Sequence, residues 1–232
     1  MSTGALDPIE LPATMPAETT RRHRAVDVAC RALDIVVALP ALILHSPLLL
    51  IIAATVRLES PGPGFFNQRR IGRSLKPFTI YKFRTMTAGA SHDRHREFVQ
   101  SLIAGARPEP IDGNPRFKLA SDDRITRVGR FLRRSSLDEL PQLWNVLRGD
   151  MSLVGPRPPI PYEVEHYPTH WFRRFEVKPG ITGLWQVSGR CELTLEEMID
   201  LDVAYVERRS LRLNLWILVC TLPAMLTSRG AS

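Results

Sequence analysis

Cysteine is scarce in this sequence. Its three residues, Cys30, Cys191 and Cys220, are widely spaced and in no C-x-x-C arrangement, which argues against a disulfide framework or a zinc site and fits a reducing compartment. Histidine offers no metal face either. His166 and His170 stand four apart with Pro168 between them, and no H-E-x-x-H occurs, so paired helical ligands are not expected. The Walker-A and G-x-G-x-x-G patterns are missing as well, leaving a P-loop or Rossmann nucleotide site unsupported. Negative charge is in deficit, 24 acidic against 31 basic residues and a net +7, and that balance predicts attraction to polyanions: nucleic acid, anionic headgroups or a phosphorylated substrate.

What is present divides the 232 residues into a disordered tail (1–24), a membrane helix (25–58), a main domain (59–227) and a short second tail (228–232). Ile35 to Val56 carries no formal charge, and at about 1.5 Å per residue it is long enough to cross a bilayer core of about 30 Å. Two features oppose a plain crossing. Pro40 and Pro47 interrupt the run, and Ser46-Pro47 near its middle predicts a bend whose freed carbonyl a serine hydroxyl can satisfy. Both flanks are basic, with Arg21, Arg22, Arg24 and Arg31 before and Arg57, Arg69, Arg70 and Arg73 after, so the positive-inside rule favours a re-entrant segment with both ends cytoplasmic.

Phe65 to Ile71 and Pro77 to Met86 read as short strands around a turn at Gly72 to Lys76. Period two puts Phe78, Ile80, Lys82 and Arg84 on one face, so that two cations project from the strand end, either as ligands or as a solvated edge. Ala90 to Ile103 reads as a charged helix and Gly105 to Asn114 as a loop. Asp123 to Arg134 reads as an amphipathic helix with Ile125, Val128 and Leu132 on one face and five arginines elsewhere, suited to a headgroup layer or to water.

The stretch Ser135 to Pro158 sets Asp138 and Glu139 between Arg133, Arg134 and Arg157. The pair reads as the opening of a helix that carries Leu140, Leu143, Trp144 and Leu147 and ends at Gly149. Carboxylates held among guanidinium groups suit phosphate chemistry, one attacking phosphorus or binding Mg²⁺ while the arginines neutralise phosphoryl oxygens. Ser136 and Glu139 equally have the spacing of a helix capping box. Tyr162 to Phe175, with Trp171 and Phe172, reads as an amphipathic piece for an interface or a core. Lys178 to Arg190 is a glycine-rich loop open to a ligand. Thr194 and Glu197 make a second capping box for a helix through Tyr205, and the apolar run Leu213 to Leu226 is too short to span.

Five ordered pieces then carry a resemblance: the basic lead-in with Asp34 and Ser46-Pro47, Tyr81 to Met86 (YKFRTM), Arg130 to Gln142 (RFLRRSSLDELPQ), Gly149 to Pro158 (GDMSLVGPRP) and Lys178 to Arg190 (KPGITGLWQVSGR). From about Arg31 to Leu226 the chain resembles the bacterial sugar transferases, the monotopic phosphoglycosyl transferases that start exopolysaccharide and O-antigen repeat units. The resemblance implies an α-rich α+β fold: an N-terminal re-entrant membrane helix, a small β-hairpin, and interfacial amphipathic helices around a catalytic domain on the cytoplasmic face of the bacterial inner membrane. It implies transfer of a hexose 1-phosphate from a UDP-sugar to undecaprenyl (polyprenyl) phosphate with release of UMP. Asp138 would be the nucleophile and Glu139 the Mg²⁺ ligand. Arg133, Arg157 and Arg190 would contact phosphate and nucleotide, with Lys82 and Arg84 as further candidates, and Asp202 would support Arg190. Ser46 and Pro47 would form the re-entrant signature. The partners implied are the UDP-sugar, the polyprenyl phosphate and membrane lipid, without nucleic acid; a homo-oligomer stays open, as does the identity of the sugar.

The chain departs from the family pattern at Asn214, where aspartate is frequent, and at Asp123, where proline is usual. Residues 91–118 are longer than in the smallest members. Two rival functions remain: a basic, non-catalytic module that binds anionic lipid or nucleic acid, and a Mg²⁺-dependent phosphohydrolase.

Overall fold

The computed structural model describes residues 21–87, 89, 110–111, 114–115, 124–189 and 193–226. The expected tail up to residue 20 and the helix expected at Ala90 to Ile103 lie outside the described residues. Helix α1, Arg21–Glu59, begins inside the stretch assigned to the tail. Its 39 residues reach about 58 Å at about 1.5 Å each. It is long and apolar enough to cross a membrane by length and composition. Pro40 and Pro47 both lie inside one continuous helix. Pro47 has no N–H for the Ile43 carbonyl one turn back, and the Ser46 hydroxyl donates to that oxygen at 2.8 Å, which offsets part of the proline's penalty.

One stripe of α1 is buried. Cys30, Asp34, Ala38, Ile52 and Val56 face the rest of the protein, while Val28, Val36, Ile43, Leu44, Leu50, Ile51 and Leu58 are exposed. The buried stripe follows the four-residue spacing of a helix face.

Strands β1 (Phe65–Ile71) and β2 (Pro77–Phe83) form an antiparallel hairpin over the expected stretch. Two-residue strands β3 (Pro110–Ile111) and β4 (Asn114–Pro115) pair beyond it. Helix α2, Arg127–Ser135, starts later than the amphipathic pattern suggested, because the Thr126 hydroxyl accepts from the Gly129 N–H and sets the cap there. A 3-10 turn, Leu137–Glu139, leads to helix α3, Gln142–Arg148, which ends at Gly149 with φ 87°.

Parallel strands β5 (Ser152–Val154) and β6 (Gly180–Thr182) are joined by helix α4 (Pro161–Val164) and a 3-10 segment, Thr169–Glu176, in place of the single amphipathic piece read from sequence. Trp171 and Phe175 in that segment are buried, so they pack the core. The glycines of the expected ligand loop have a packing reason. A Cβ on Gly180 would come within 2.1 Å of the Gly155 nitrogen, a clash that only glycine avoids where two strands approach this closely. Helices α5 (Leu184–Val187), α6 (Leu195–Arg208) and α7 (Leu211–Leu226) complete the chain, and α6 opens on the reciprocal Thr194/Glu197 capping box.

The main core gathers Ala38 of α1, Ile80 of β2, Leu143 and Val146 of α3, Val154 of β5, Tyr205 of α6 and Ile217 of α7. A second cluster joins Ile52 and Val56 to Phe83 and Leu132. Asn214 is buried in the first, accepting from the Tyr205 hydroxyl at 2.9 Å while that hydroxyl also reaches the Val154 carbonyl at 3.1 Å. At this position an amide therefore fastens α7 to α6.

Candidate active site

Asp138 and Glu139 sit on the 3-10 turn between α2 and α3. The capping box expected from Ser136 does not form, because Ser136 takes left-handed φ and ψ of 56° and 16° and makes no side-chain cap. The acidic pair is thus presented on a tight turn, outside the α-helix it was expected to open. Asn145 of α3 fixes that turn against the hairpin: its side chain accepts from the Tyr81 N–H at 3.1 Å and donates to the Thr79 carbonyl at 2.7 Å. This extends the β2 edge with an amide and sets Lys82 opposite the turn.

Lys82 Nζ lies 2.6 Å from Glu139 Oε1, and an Arg157 Nη lies 3.7 Å from the same oxygen. Asp138 makes no hydrogen bond or ion pair with any described residue. Burial pushes the Asp138 carboxyl up, Glu139 adds to the rise, and Lys82, Arg133 and Arg157 oppose it. Burial pushes the Lys82 ammonium down against the pull of Glu139. The two neighbouring carboxylates therefore differ: Glu139 is tied to cations, whereas Asp138 has no bonded partner among the described residues.

The adjoining cleft is lined by Arg70, Lys82, Glu139, Gln142 and Arg157. Arg133 donates from Nε to the Thr85 hydroxyl at 2.9 Å, which holds it at the end of β2. Gly129 lets α2 approach that strand end: a Cβ there would lie 2.1 Å from the Thr85 carbonyl oxygen.

Lys82, Arg133, Asp138, Glu139 and Arg157 thus come together. Arg84 is occupied elsewhere. It is buried, donating to the Pro61 carbonyl at 2.6 Å, the Ser60 carbonyl at 2.6 Å and the Ser60 hydroxyl at 2.8 Å, so it caps the end of α1. The expected sharing of a ligand face with Lys82 is lost because β2 ends at Phe83. Arg190 lies outside the described residues. Asp202 is buried and pairs with Arg174 at 2.6 Å; the support of Arg190 expected of it involves a residue outside the described ones. Burial drives the Asp202 carboxyl up to about 7 despite Arg174, in keeping with its second oxygen having no partner among the described residues. Arg174 also donates to the Arg157 carbonyl at 2.8 Å, so the pair braces the Gly155 to Pro158 backbone behind the cleft.

Arg70, Gln142 and Arg174 escaped the sequence reading. Arg70 was signalled by hairpin register, which pairs Phe66 with Lys82 and Arg70 with Phe78 and so puts both cations on one face. Arg174 carries no local signal, because its partner Asp202 is brought to it only by the tertiary fold.

Among the described residues no group of three or more His, Cys, Asp or Glu could cage a metal. A carboxylate beside a cleft of phosphate-seeking cations does suit Mg²⁺, which characteristically takes one or two carboxylates and completes its shell with substrate phosphates and water. Glu139 is the side chain placed to serve.

Comparison with known proteins agrees with this arrangement. The family described as Bacterial sugar transferase matches residues 25–228. The Exopolysaccharide production protein ExoY of Rhizobium meliloti is 38% identical over 220 residues, covering 95% of each chain. The Galactosyl transferase CpsE of Streptococcus agalactiae is 40% identical over 205 residues, 88% of this chain and 43% of its own, so the present chain spans less than half of CpsE. The UDP-glucose:undecaprenyl-phosphate glucose-1-phosphate transferase of Caulobacter vibrioides is 41% identical over 216 residues, 89% of this chain and 73% of its own. With a family match over most of its length and a relative covered nearly end to end, the chain belongs to the bacterial sugar transferase family.

Proposed function

We propose that the protein is a membrane-bound phosphoglycosyl transferase that moves a hexose 1-phosphate from a UDP-sugar to undecaprenyl phosphate, with UMP as the other product, at the start of exopolysaccharide or O-antigen assembly. The observation that carries this is the inequality of the acidic pair: Asp138 without a hydrogen bond or ion pair among the described residues, and Glu139 held by Lys82 at 2.6 Å beside a cationic cleft. The name of the Caulobacter vibrioides relative, which specifies UDP-glucose and undecaprenyl phosphate, supports the choice of donor and acceptor.

In the first half-reaction an Asp138 carboxylate oxygen attacks the β-phosphorus, the bond to the bridging oxygen breaks, and UMP leaves with the electron pair. In the second, a phosphate oxygen of the lipid attacks the same phosphorus and Asp138 is released as carboxylate. Covalent catalysis splits one difficult transfer into two easier ones. Lys82, Arg133 and Arg157 stabilise the phosphoryl oxygens in both steps. Mg²⁺, held by Glu139 and the diphosphate, would add neutralising charge.

The length and apolar composition of α1 support membrane attachment. The helix touches the catalytic fold near its start, where Asp34 accepts from the Ser152 hydroxyl and the Leu153 N–H, and near its end, where Val56 packs with Phe83 and Leu132. A straight crossing would pull one of those contacts into hydrocarbon, a large penalty for polar groups. A re-entrant or shallow seat keeps both ends and the active site on the cytoplasmic face, with Ser46-Pro47 as the local weak point. The apolar face of α1 and the exposed Leu215, Trp216, Val219 and Leu222 of α7 suit lipid contact.

The test is a panel of UDP-hexoses offered to purified protein with undecaprenyl phosphate and Mg²⁺. UMP and a lipid-linked phosphosugar are expected, both abolished in Asp138→Asn and by chelation. Free sugar phosphate formed without lipid would identify a hydrolase instead.

A further inference from the structure

Arg70 is a half-buried cation in the wall of the cleft. One of its Nη atoms donates to the Pro158 carbonyl at 3.0 Å and the other to Gln68 Oε1 at 2.7 Å. Its Nε is enclosed and has no partner, and no carboxylate forms an ion pair with it, among the described residues. Burial, reinforced by nearby Arg157 and opposed by Glu163, pushes its guanidinium down to about 10. Lys82 and Arg157 share one oxygen of Glu139, at 2.6 and 3.7 Å, so with Arg70 the cleft lining sets three cations against one carboxylate and suits an anionic ligand.

Arg157 reaches Glu139, the residue next to Asp138, at 3.7 Å, and Arg70 is tied to the carbonyl of Pro158, the residue next to Arg157. Along the cleft that all three line, Arg157 therefore stands between the acidic pair and the guanidinium of Arg70. In-line displacement needs the leaving group on the side of phosphorus opposite the nucleophile. A diphosphate with its β-phosphorus at Asp138 would extend its α-phosphate past Arg157 toward Arg70.

We propose that Arg70 binds the α-phosphate of the uridine nucleotide, taking up the negative charge that develops there as the bond to the β-phosphorus breaks and UMP departs. This rests on the UDP-sugar reading given above. The two neutral acceptors serve to lock the fork in place, so that little reorganisation is needed when charge develops. Arg70 acts in the first half-reaction and has no task in the second, when the nucleotide has gone.

The experiment measures UMP and uridine binding to the full chain in detergent, for the native protein, Arg70→Gln and Arg70→Lys, each nucleoside competing against labelled UMP. A charge-assisted phosphate contact predicts a loss of about tenfold to a hundredfold in UMP affinity for Arg70→Gln, a smaller loss for Arg70→Lys, and unchanged uridine affinity. Equal loss for UMP and uridine would reduce Arg70 to a structural brace and overturn the assignment, as would unchanged UMP affinity. If the native protein binds UMP while Arg70→Gln binds it equally well, only the role of Arg70 fails. If the native protein binds no UMP, the UDP-sugar reading fails with it.

Discussion

Removing one member of the Arg174–Asp202 pair should be far more harmful than removing both. The pair is buried on both sides at 2.6 Å, so Asp202→Ala strands a guanidinium in the core, a loss of about 3–5 kcal/mol for a broken buried pair. At about 2–4 °C per kcal/mol for a chain of this size, the melting temperature should fall by roughly 6–20 °C. Arg174→Met with Asp202→Leu replaces both charges with apolar volume and should recover most of that loss. Activity should not return with it, because the Arg174 bond to the Arg157 carbonyl at 2.8 Å is gone and Arg157 loses its backing. Thermal unfolding by intrinsic fluorescence, beside UMP release, separates the two effects. Because burial holds the Asp202 carboxyl at about 7 in the folded chain, above the usual 3.9 or so of the unfolded one, the folded state binds the extra proton between those values. Its contribution to stability therefore falls as pH rises from about 4 to about 7, and Asp202→Asn should lack that decline. A loss under about 1 kcal/mol in Asp202→Ala, or full activity in the double variant, would refute the bracing argument.

Lys82→Met removes a cation that holds the Asp138 carboxyl down. The acidic limb of the pH–rate profile for UMP release should move to higher pH, and the rate at the optimum should fall about a hundredfold or more, the scale of one lost electrostatic stabiliser. Gly129→Ala drives a methyl to 2.1 Å from the Thr85 carbonyl oxygen and should destabilise by at least about 1–3 kcal/mol in denaturant titration. Ser46→Ala deletes the 2.8 Å bond to the Ile43 carbonyl and should cost about 0.5–1.5 kcal/mol, read as a lower melting temperature in nanodiscs with Asp138 chemistry intact.

Local pattern carried much of this fold. The hairpin, the Thr194/Glu197 cap and the Gly149 terminus follow from period two, reciprocal capping and positive φ, each decided by neighbours in sequence. The site was legible as the company of Asp138 and Glu139 with arginines, though local pattern could not distinguish a helix cap from a reactive turn; the left-handed Ser136 decided that. Long-range pairing hid the rest. Arg84 reads as a strand-end ligand until its carbonyl partners at Ser60 and Pro61 are known. Asp202 gives no local sign of Arg174, 28 positions away, which the fold brings within 2.6 Å of it. The glycines of the Lys178 to Arg190 segment suggest ligand approach, and Gly155 explains Gly180 by packing alone.

The central claim is that Asp138 becomes covalently phosphorylated by the donor. The direct measurement is intact and peptide mass spectrometry of the protein after brief exposure to UDP-hexose and Mg²⁺ without lipid acceptor. The account predicts a hexose-phosphate adduct on Asp138, discharged when undecaprenyl phosphate is added. UMP released at normal rates with Asp138 unmodified, or undiminished in Asp138→Asn, would contradict it.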